Sequence, residues 1–272
     1  MSTHSPVAVI TGGGGALGSA LALQAARRGY RVAILDRSES AGEACCQALL
    51  EAGAECFWMA VDVRRERDLN QAVTRVLRRW GQLDLWINNA GIATAGPFEA
   101  LSSDDWQQQL DVNLLGTVHG CRAAATAMAR QGNGQLVNIA AAAGLFPSPG
   151  LSAYNSVSAA LIALSETLQA ELSPLGIRVS VACPTFFQSP FMTSVRASDP
   201  LSRQRFMRLA EQHQYSAEEV AERLFKELDG RRFLLLPHRD HRRLWWLKRL
   251  SPKRFRAAMR DRAQRLRHPP LR

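Results

Sequence analysis

The sequence predicts a doubly wound α/β fold of the Rossmann type, with about seven parallel strands and helices on both faces of the sheet. Short apolar runs rich in Val and Ile alternate with longer segments of helical periodicity. The runs are apolar at nearly every position, which is typical of strands covered on both faces. A glycine-rich turn directly follows the first run. Together these observations indicate a parallel sheet between two helical layers.

The elements follow one another along the chain in regular alternation. Predicted strands cover residues 7–11, 31–36, 56–62, 83–91, 134–140, 177–184 and 232–237. Predicted helices cover roughly residues 16–29, 39–52, 66–80, 103–130, 154–173 and 216–229. Gly29 is placed to end the first helix. Ser216 and Glu219 have the spacing of a capping box at the start of the last of these helices.

Length and charge indicate one domain and a basic extension. The 272 residues suit one large domain, which we place at residues 1–237, followed by a tail at residues 238–272. Residues 231–272 carry 15 of the 34 Lys and Arg residues but only 2 of the 24 acidic ones, so the basic net charge belongs to this end of the chain. We find neither a run of 18 apolar residues nor a secretion signal, so we expect a cytoplasmic protein.

The five cysteines do not form a recognisable metal site. They are Cys45, Cys46, Cys56, Cys121 and Cys183, and they lack the paired CxxC spacing of zinc ligands. We expect reduced, mostly buried thiols and no metal.

The turn TGGGGALG at residues 11–18 lies between the first predicted strand and the first helix. Glycines here let backbone amides approach a pyrophosphate at a helix N-terminus, although a turn without a ligand remains the alternative. Asp36 ends the second strand, where a carboxylate can bind both ribose hydroxyls and would repel a 2′-phosphate, so NAD is favoured over NADP. Arg37 keeps NADP open, because a guanidinium can bind that phosphate.

Seven features in order and spacing resemble the short-chain dehydrogenase/reductase family over about residues 5–237: TGGGGALG, Asp36, Asp62-Val63, NNAG at 88–91, Asn113, the Tyr154 segment and Cys183-Pro184. The resemblance implies a Rossmann-type sheet and hydride transfer between a nicotinamide dinucleotide and an alcohol or carbonyl. Ala16 departs from the glycine pattern of the compact members. The resemblance places the cofactor against Gly12, Gly15, Leu17, Gly18, Asp36, Arg37, Asp62, Val63, Asn89, Ala90, Gly91, Tyr154, Pro184 and Ser189.

The catalytic set that the family uses is incomplete here. The family has an Asn, a Ser, a Tyr and a Lys, and this chain keeps Asn113 and Tyr154 but has Ala141 and Ser158 at the other two positions. Without the lysine, Tyr154 is expected to act as a neutral acid in carbonyl reduction, while oxidation would require high pH. The alternative is a non-catalytic, cofactor-binding pseudoenzyme that acts as a sensor or subunit. Ser148, Ser152 and Ser189 are candidate replacements for the missing serine.

The segment 185–215, which in the family forms a lid over the substrate, favours a hydrophobic substrate. Its large apolar residues are Phe186, Phe187, Phe191, Met192, Phe206 and Met207. The resemblance also implies a homodimer or homotetramer, in which Ala159, Ala160 and Ala163 would permit close helix contact.

The tail contains two amphipathic patterns. Leu244, Trp245, Leu247 and Leu250 form the first, and Phe255, Met259, Arg262 and Leu266 form the second. Such basic helices either pack over the lid or a dimer partner, or bind an anionic membrane surface. Nucleic acid is disfavoured, because no nucleic-acid-binding motif accompanies the charge.

Overall fold

The computed structural model describes residues 5–187, 195–211 and 215–267, without the side chains of residues 209–211, 239–242 and 265–267. Its centre is a seven-stranded parallel sheet in the order β3-β2-β1-β4-β6-β7-β9. A separate pair of two-residue strands, β5 and β8, also runs parallel. The strands are β1 (Val7–Thr11), β2 (Arg31–Asp36), β3 (Cys56–Ala60), β4 (Leu85–Asn88), β5 (Thr94–Ala95), β6 (Gly134–Ile139), β7 (Ile177–Ala182), β8 (Arg196–Ala197) and β9 (Leu234–Leu235).

Helices cover both faces of the sheet. The helices are α1 (Ala16–Ala26), α2 (Glu39–Glu51), α3 (Glu66–Trp80), α4 (Ser103–Gln109), α5 (Gly116–Gln131), α6 (Ala142–Leu145), α7 (Ser152–Leu172), α8 (Pro200–Glu211), α9 (Ala217–Asp229), α10 (Arg239–Leu250) and α11 (Pro252–Arg267). One apolar core joins the sheet to α1, α2 and α9. A second core joins the opposite face to α3, α5 and the end of α7. The predicted fold class and the predicted number of strands are confirmed.

The predicted single helix over residues 103–130 is wrong. The chain forms α4, then a π-helical segment at Leu110–Leu115, and then α5. Asn113 lies in the π-helical segment, and its side chain binds both backbone groups of Ile92. A single wide turn hardly disturbs apolar periodicity, so the sequence pattern predicted an uninterrupted helix.

A buried polar network fixes the centre of the sheet against its helices. The Asn88 amide accepts a hydrogen bond from Trp86 Nε1 at 2.7 Å and donates one to Asn138 Oδ1 at 2.9 Å. Asn138 in turn donates to Ser165 Oγ of α7 at 3.0 Å. Because a buried amide without partners would be costly, this network holds α7 in one position on β4 and β6.

The tail packs onto the body of the protein. Phe255 of α11 is buried in a cluster with Ala142 and Phe146, and Trp245 and Met259 pack around this cluster. Lys248 Nζ also donates a hydrogen bond to the Leu145 carbonyl oxygen at 2.5 Å. Within the described residues, none of the helices combines the length and the apolar character that a bilayer crossing needs.

Candidate active site

One cavity of about 510 Å³ lies at the carboxyl ends of the central strands. This is the edge at which doubly wound sheets bind ligands. The structure brings fourteen of the predicted site residues together around it: Gly12, Gly15, Leu17, Gly18, Asp36, Arg37, Asp62, Val63, Asn89, Ala90, Gly91, Asn113, Tyr154 and Pro184. The remaining predicted residue, Ser189, lies outside the described residues.

The glycine turn has the backbone geometry that a pyrophosphate requires. Gly12 has φ of +62°, and a Cβ there would lie 2.8 Å from the Cα of Ala90. A Cβ on Gly18 would overlap the Gly12 carbonyl oxygen, so α1 can approach the turn only without a side chain at this position. No side chain caps the start of α1. The first amides of that helix are therefore available to an anion.

The loop after β4 is tied to the same turn. Asn89 Nδ2 donates to the carbonyl oxygens of Thr11 and Gly12, both at 3.1 Å. Thr11 Oγ1 accepts from the amides of Asn89 and Ala90 at 2.9 and 3.1 Å. The NNAG segment thus fixes the width of the cleft between β1 and β4.

Acidic groups line the end of the cavity that the family resemblance assigns to the adenosine. Asp36 accepts hydrogen bonds from the amides of Gly14 and Ser38, each at 2.9 Å. These bonds hold its carboxylate at the end of β2, while Arg37 is exposed beside it. Asp62 pairs with Arg64, whose hydrogen bonds lower the pKa of the Asp62 carboxyl. The sequence analysis missed Arg64, which also lines the cavity.

His119 has a packing role near this end of the cavity. Its Nδ1 lies 3.0 Å from the carbonyl oxygen of Val63, which it holds in place from α5. The structure gives no support to a catalytic role for this residue.

Tyr154 and Ser158 lie one turn apart on α7, and both line the cavity. Burial, followed by the nearby Cys183 thiol, raises the pKa of Tyr154 to about 12. No cation among the described residues lowers this pKa. Ser158 is buried and carries no charge. At neutral pH Tyr154 is therefore a neutral phenol, able to donate a proton but not to accept one.

Asn113 reaches the same cavity from the π-helical segment. Its Oδ1 accepts from the Ile92 amide and its Nδ2 donates to the Ile92 carbonyl oxygen, both at 2.9 Å. An amide has further donor and acceptor capacity beyond these two bonds. Asn113 therefore anchors the loop after β4 and still faces the cleft.

The candidate replacements for the missing serine differ in position. Ala141 is buried in extended backbone directly before α6 and lines the cavity without a polar atom in its side chain. Ser148 lines the cavity as well. Ser152 Oγ is buried with no hydrogen-bond partner among the described residues, away from the cavity wall. Ser148 is thus the one described candidate that the structure places at the site.

The substrate end is apolar and includes residues that the sequence analysis did not place there. Phe186 and Phe187 of the lid line it, and Phe206 packs edge-on against Phe186 with ring centroids 5.1 Å apart. Phe191 and Met192 lie outside the described residues. The additional lining residues at this end include Ala142, Ala143, Phe146, Leu151, Thr185, Leu244, Phe255, Met259 and Arg262.

The cysteines are further nucleophilic side chains of the described structure. All five cysteines are buried and none forms a disulfide, as predicted. Within the described ranges, no three His, Cys, Asp or Glu side chains converge as metal ligands.

Comparisons with known proteins identify the family. The model of the family described as short chain dehydrogenase matches residues 6–200. An uncharacterized oxidoreductase from Thermotoga maritima is 35% identical over 199 residues, covering 73% of this chain and 78% of that protein. A 2-(R)-hydroxypropyl-CoM dehydrogenase from Xanthobacter autotrophicus is 33% identical over 223 residues, covering 80% and 89%.

A solved structure extends the match to the fold. The crystal structure of a short chain dehydrogenase/reductase from Burkholderia phymatum in complex with NAD has a TM-score of 0.87 and 28% identity, covering 93% of this chain and 96% of that one. The named relatives give no support to the non-catalytic alternative. The chain therefore belongs to the short-chain dehydrogenase/reductase family and is an NAD(P)-dependent oxidoreductase.

Proposed function

We propose that this protein uses NADH to reduce a hydrophobic carbonyl compound, with Tyr154 as the proton donor in a relay that lacks the family's Ser and Lys. The main support is the position of Tyr154, because the phenol lines the same cavity as the glycine turn and has a pKa raised to about 12. A phenol held neutral suits reduction, in which the developing alkoxide takes up a proton.

The choice of NAD over NADP is supported by Asp36. Its carboxylate is held in place by two backbone amides at the end of β2, where a ribose would lie. A 2′-phosphate there would face this negative charge. Arg37 is exposed beside the carboxylate and is free to turn away into solvent.

The site residues proposed to hold the cofactor are those of the glycine turn, the NNAG loop, Asp62, Val63 and Pro184. A bound nicotinamide would supply the hydride. Tyr154 gives its proton to the substrate oxygen, and Asn113 holds the loop after β4 against the cleft. With Ala141 in place of a serine, the substrate oxygen lacks one hydrogen-bond donor. Deleting a donor of this kind raises the activation free energy by about 2.7–4 kcal/mol. We therefore expect slow turnover.

A hydrophobic substrate is supported by the apolar wall around Tyr154. Phe146, Leu151, Phe186 and Phe187 line that end of the cavity. Apolar surface of this kind favours a substrate that buries carbon atoms beside the reacting group.

Further proposals concern assembly and location. We propose a homo-oligomer through the exposed surface of α7, where Ala159 and Ala163 leave room for another helix. We also propose that this protein is cytoplasmic and contacts an anionic membrane through α10. This helix exposes Trp246 and Leu250 among basic residues.

The test is NADH consumption over a panel of hydrophobic aldehydes and ketones, with NADH binding measured separately by fluorescence. Tyr154→Phe should abolish turnover while keeping NADH bound. Tyr30→Phe is the matched control, because it removes the same atom outside the cavity. Full turnover by Tyr154→Phe would contradict the proposal. NADH binding without turnover of any compound would instead favour a non-catalytic role.

A further inference from the structure

The second amphipathic pattern of the tail lies on α11 and lines the active-site cavity. It includes one cation, Arg262. Phe255, Met259 and Arg262 follow one another at intervals of four and three residues, so they share one face of α11. All three line the cavity. The two apolar residues pack with Ala142 and Phe146, at the two ends of α6. The face of α11 that carries Arg262 therefore closes the substrate end of the cavity.

Arg262 differs from the other cations of α11 whose side chains are described. Lys253, Arg254, Arg256 and Arg260 are exposed, whereas Arg262 is half-buried. Burial lowers the pKa of its guanidinium, and no charged neighbour contributes to this shift. None of the carboxylates whose side chains are described lies within ion-pair distance of it. A partly desolvated guanidinium without a counter-ion is a costly arrangement that a bound anion would relieve.

The wall next to Arg262 suggests what carries that anion. Leu244, Phe255 and Met259 make this part of the cavity apolar. The acidic residues proposed to bind the adenosine are Asp36, at the end of β2, and Asp62, after β3, whereas α11 packs on the segment after β6. The guanidinium thus belongs to the substrate end of the cavity.

We propose that Arg262 binds a carboxylate at the end of the substrate, so that the protein acts on an oxo acid or hydroxy acid with an apolar chain. This proposal rests on the proposed function and specifies its substrate class. Arg262 is a specificity residue in this scheme, and the reacting carbonyl remains with Tyr154. The apolar chain lies along Phe146, Phe255 and Met259 while the guanidinium pairs with the acid.

The experiment compares uncharged and anionic probes of equal length. Calorimetry measures the binding of butanoate, octanoate and dodecanoate and of the corresponding amides. Each compound is tested with the NAD-loaded protein and with the cofactor-free protein. We expect at least one acid to bind about tenfold more tightly than its amide. Arg262→Gln should abolish that preference, and Arg262→Lys should keep part of it. Arg260→Gln removes the same charge from the exposed side of α11 and should leave the preference intact.

Each outcome is distinguishable from failure of the proposed function. NADH binding measured by fluorescence tests the cofactor site alone, and it should be the same in all four proteins. Weaker NADH binding by Arg262→Gln with no change in acid preference would assign the guanidinium to a cofactor phosphate and overturn the proposal. Equal affinity for acid and amide at every length in the parent protein would also overturn it, whether or not NADH binds.

Discussion

At the scale of single residues, Tyr154 shows how burial changes the chemistry of a phenol. An ordinary tyrosine has a pKa of about 10, and burial here raises it to about 12. About one molecule in 10⁵ then carries the phenolate at pH 7. The phenol is thus kept ready to donate a proton, and the base needed for alcohol oxidation is almost absent.

The raised pKa predicts the pH dependence of the reverse reaction. The kcat/KM for oxidation of a hydrophobic alcohol should rise about tenfold for each pH unit between pH 7 and pH 10, since the phenolate fraction rises so. The kcat/KM for carbonyl reduction should show no pH dependence from Tyr154 over the same range, because the phenol stays protonated. Steady-state rates at saturating cofactor measure both reactions. A plateau in the oxidation rate below pH 9 would contradict a pKa near 12.

The same pKa limits the range in which the protein can be assayed. Because the folded-state value exceeds the ordinary value of 10, the neutral phenol contributes stability that is fully present below about pH 10. That contribution is lost as the pH rises through about 12. The oxidation assays therefore end at pH 10, before this loss begins.

Restoring the two missing groups tests whether only the relay has been lost. Ala141 and Ser158 both line the cavity, so Ala141→Ser with Ser158→Lys places a hydroxyl and an ammonium beside Tyr154. The lysine should lower the pKa of Tyr154, and each unit is worth about 1.4 kcal/mol. We expect turnover of carbonyl substrates to rise at least tenfold, as measured by NADH consumption.

The control for this restoration places the lysine on the other side of α7. Ala141→Ser with Ser156→Lys adds the same charge at an exposed position. Its turnover should show no gain from the lysine. An equal gain in both double variants would mean that the shared Ala141→Ser change, and not a lysine beside Tyr154, produces it. No gain in either would mean that the cavity has diverged from carbonyl chemistry.

At the scale of elements, the sequence predicted the parts of the site that depend on backbone geometry. The glycine turn, Asp36 and the NNAG loop all lie where the spacing placed them, because each follows a buried strand that the apolar runs identify. The π-helical segment around Asn113 escaped prediction, since it depends on a hydrogen bond to Ile92 far away in the sequence. Arg64 escaped prediction because its place at the cavity depends on the side-chain pairing with Asp62, which no sequence pattern specifies.

The glycine turn also provides a prediction about stability. A Cβ on Gly18 would overlap the Gly12 carbonyl oxygen, whereas a Cβ on Gly15 meets nothing closer than 3.4 Å. Gly18→Ala should therefore lower the free energy of unfolding by about 1–3 kcal/mol, and Gly15→Ala should change it by less than about 0.5 kcal/mol. Urea unfolding without cofactor measures both. Equal losses would mean that the close packing of α1 on the turn is not the cause.

At the scale of the whole molecule, the tail contains two amphipathic patterns whose contacts the sequence did not determine. Packing over the substrate end and binding a membrane were alternatives for the tail, and the structure shows the first, since Leu244 of α10 and one face of α11 line the cavity. Phe255 and Met259 of α11 face the cavity, while α10 exposes Trp246 at 52% and Leu250 at 74% of their surface. The sequence showed both amphipathic patterns but could not show their destinations, because contact with Phe146 is a tertiary property.

The tail has two proposed roles, closing the substrate end of the cavity and contacting a membrane, and we predict that variants can separate them. Deleting residues 239–272 keeps His238, whose ring packs on Tyr215, and removes both helices. NADH affinity should change by less than about threefold, because the residues proposed to bind the cofactor all precede the tail. The KM for a hydrophobic carbonyl should rise about tenfold or more, because the substrate would lose apolar contacts with the tail. Burial of one large apolar side chain contributes about 1.5–3 kcal/mol. Binding to anionic vesicles, measured by sedimentation, should be lost.

The point variant Phe255→Ala distinguishes the two helices within this result. It removes the buried ring of α11, near which Trp245 packs, and leaves the exposed Trp246 and Leu250 of α10 in the chain. It should therefore reproduce the rise in KM while vesicle binding stays at the level of the parent protein. Vesicle binding that falls together with substrate affinity would place both functions on α11. Undiminished vesicle binding by the deletion variant would show that the membrane contact does not lie in the tail.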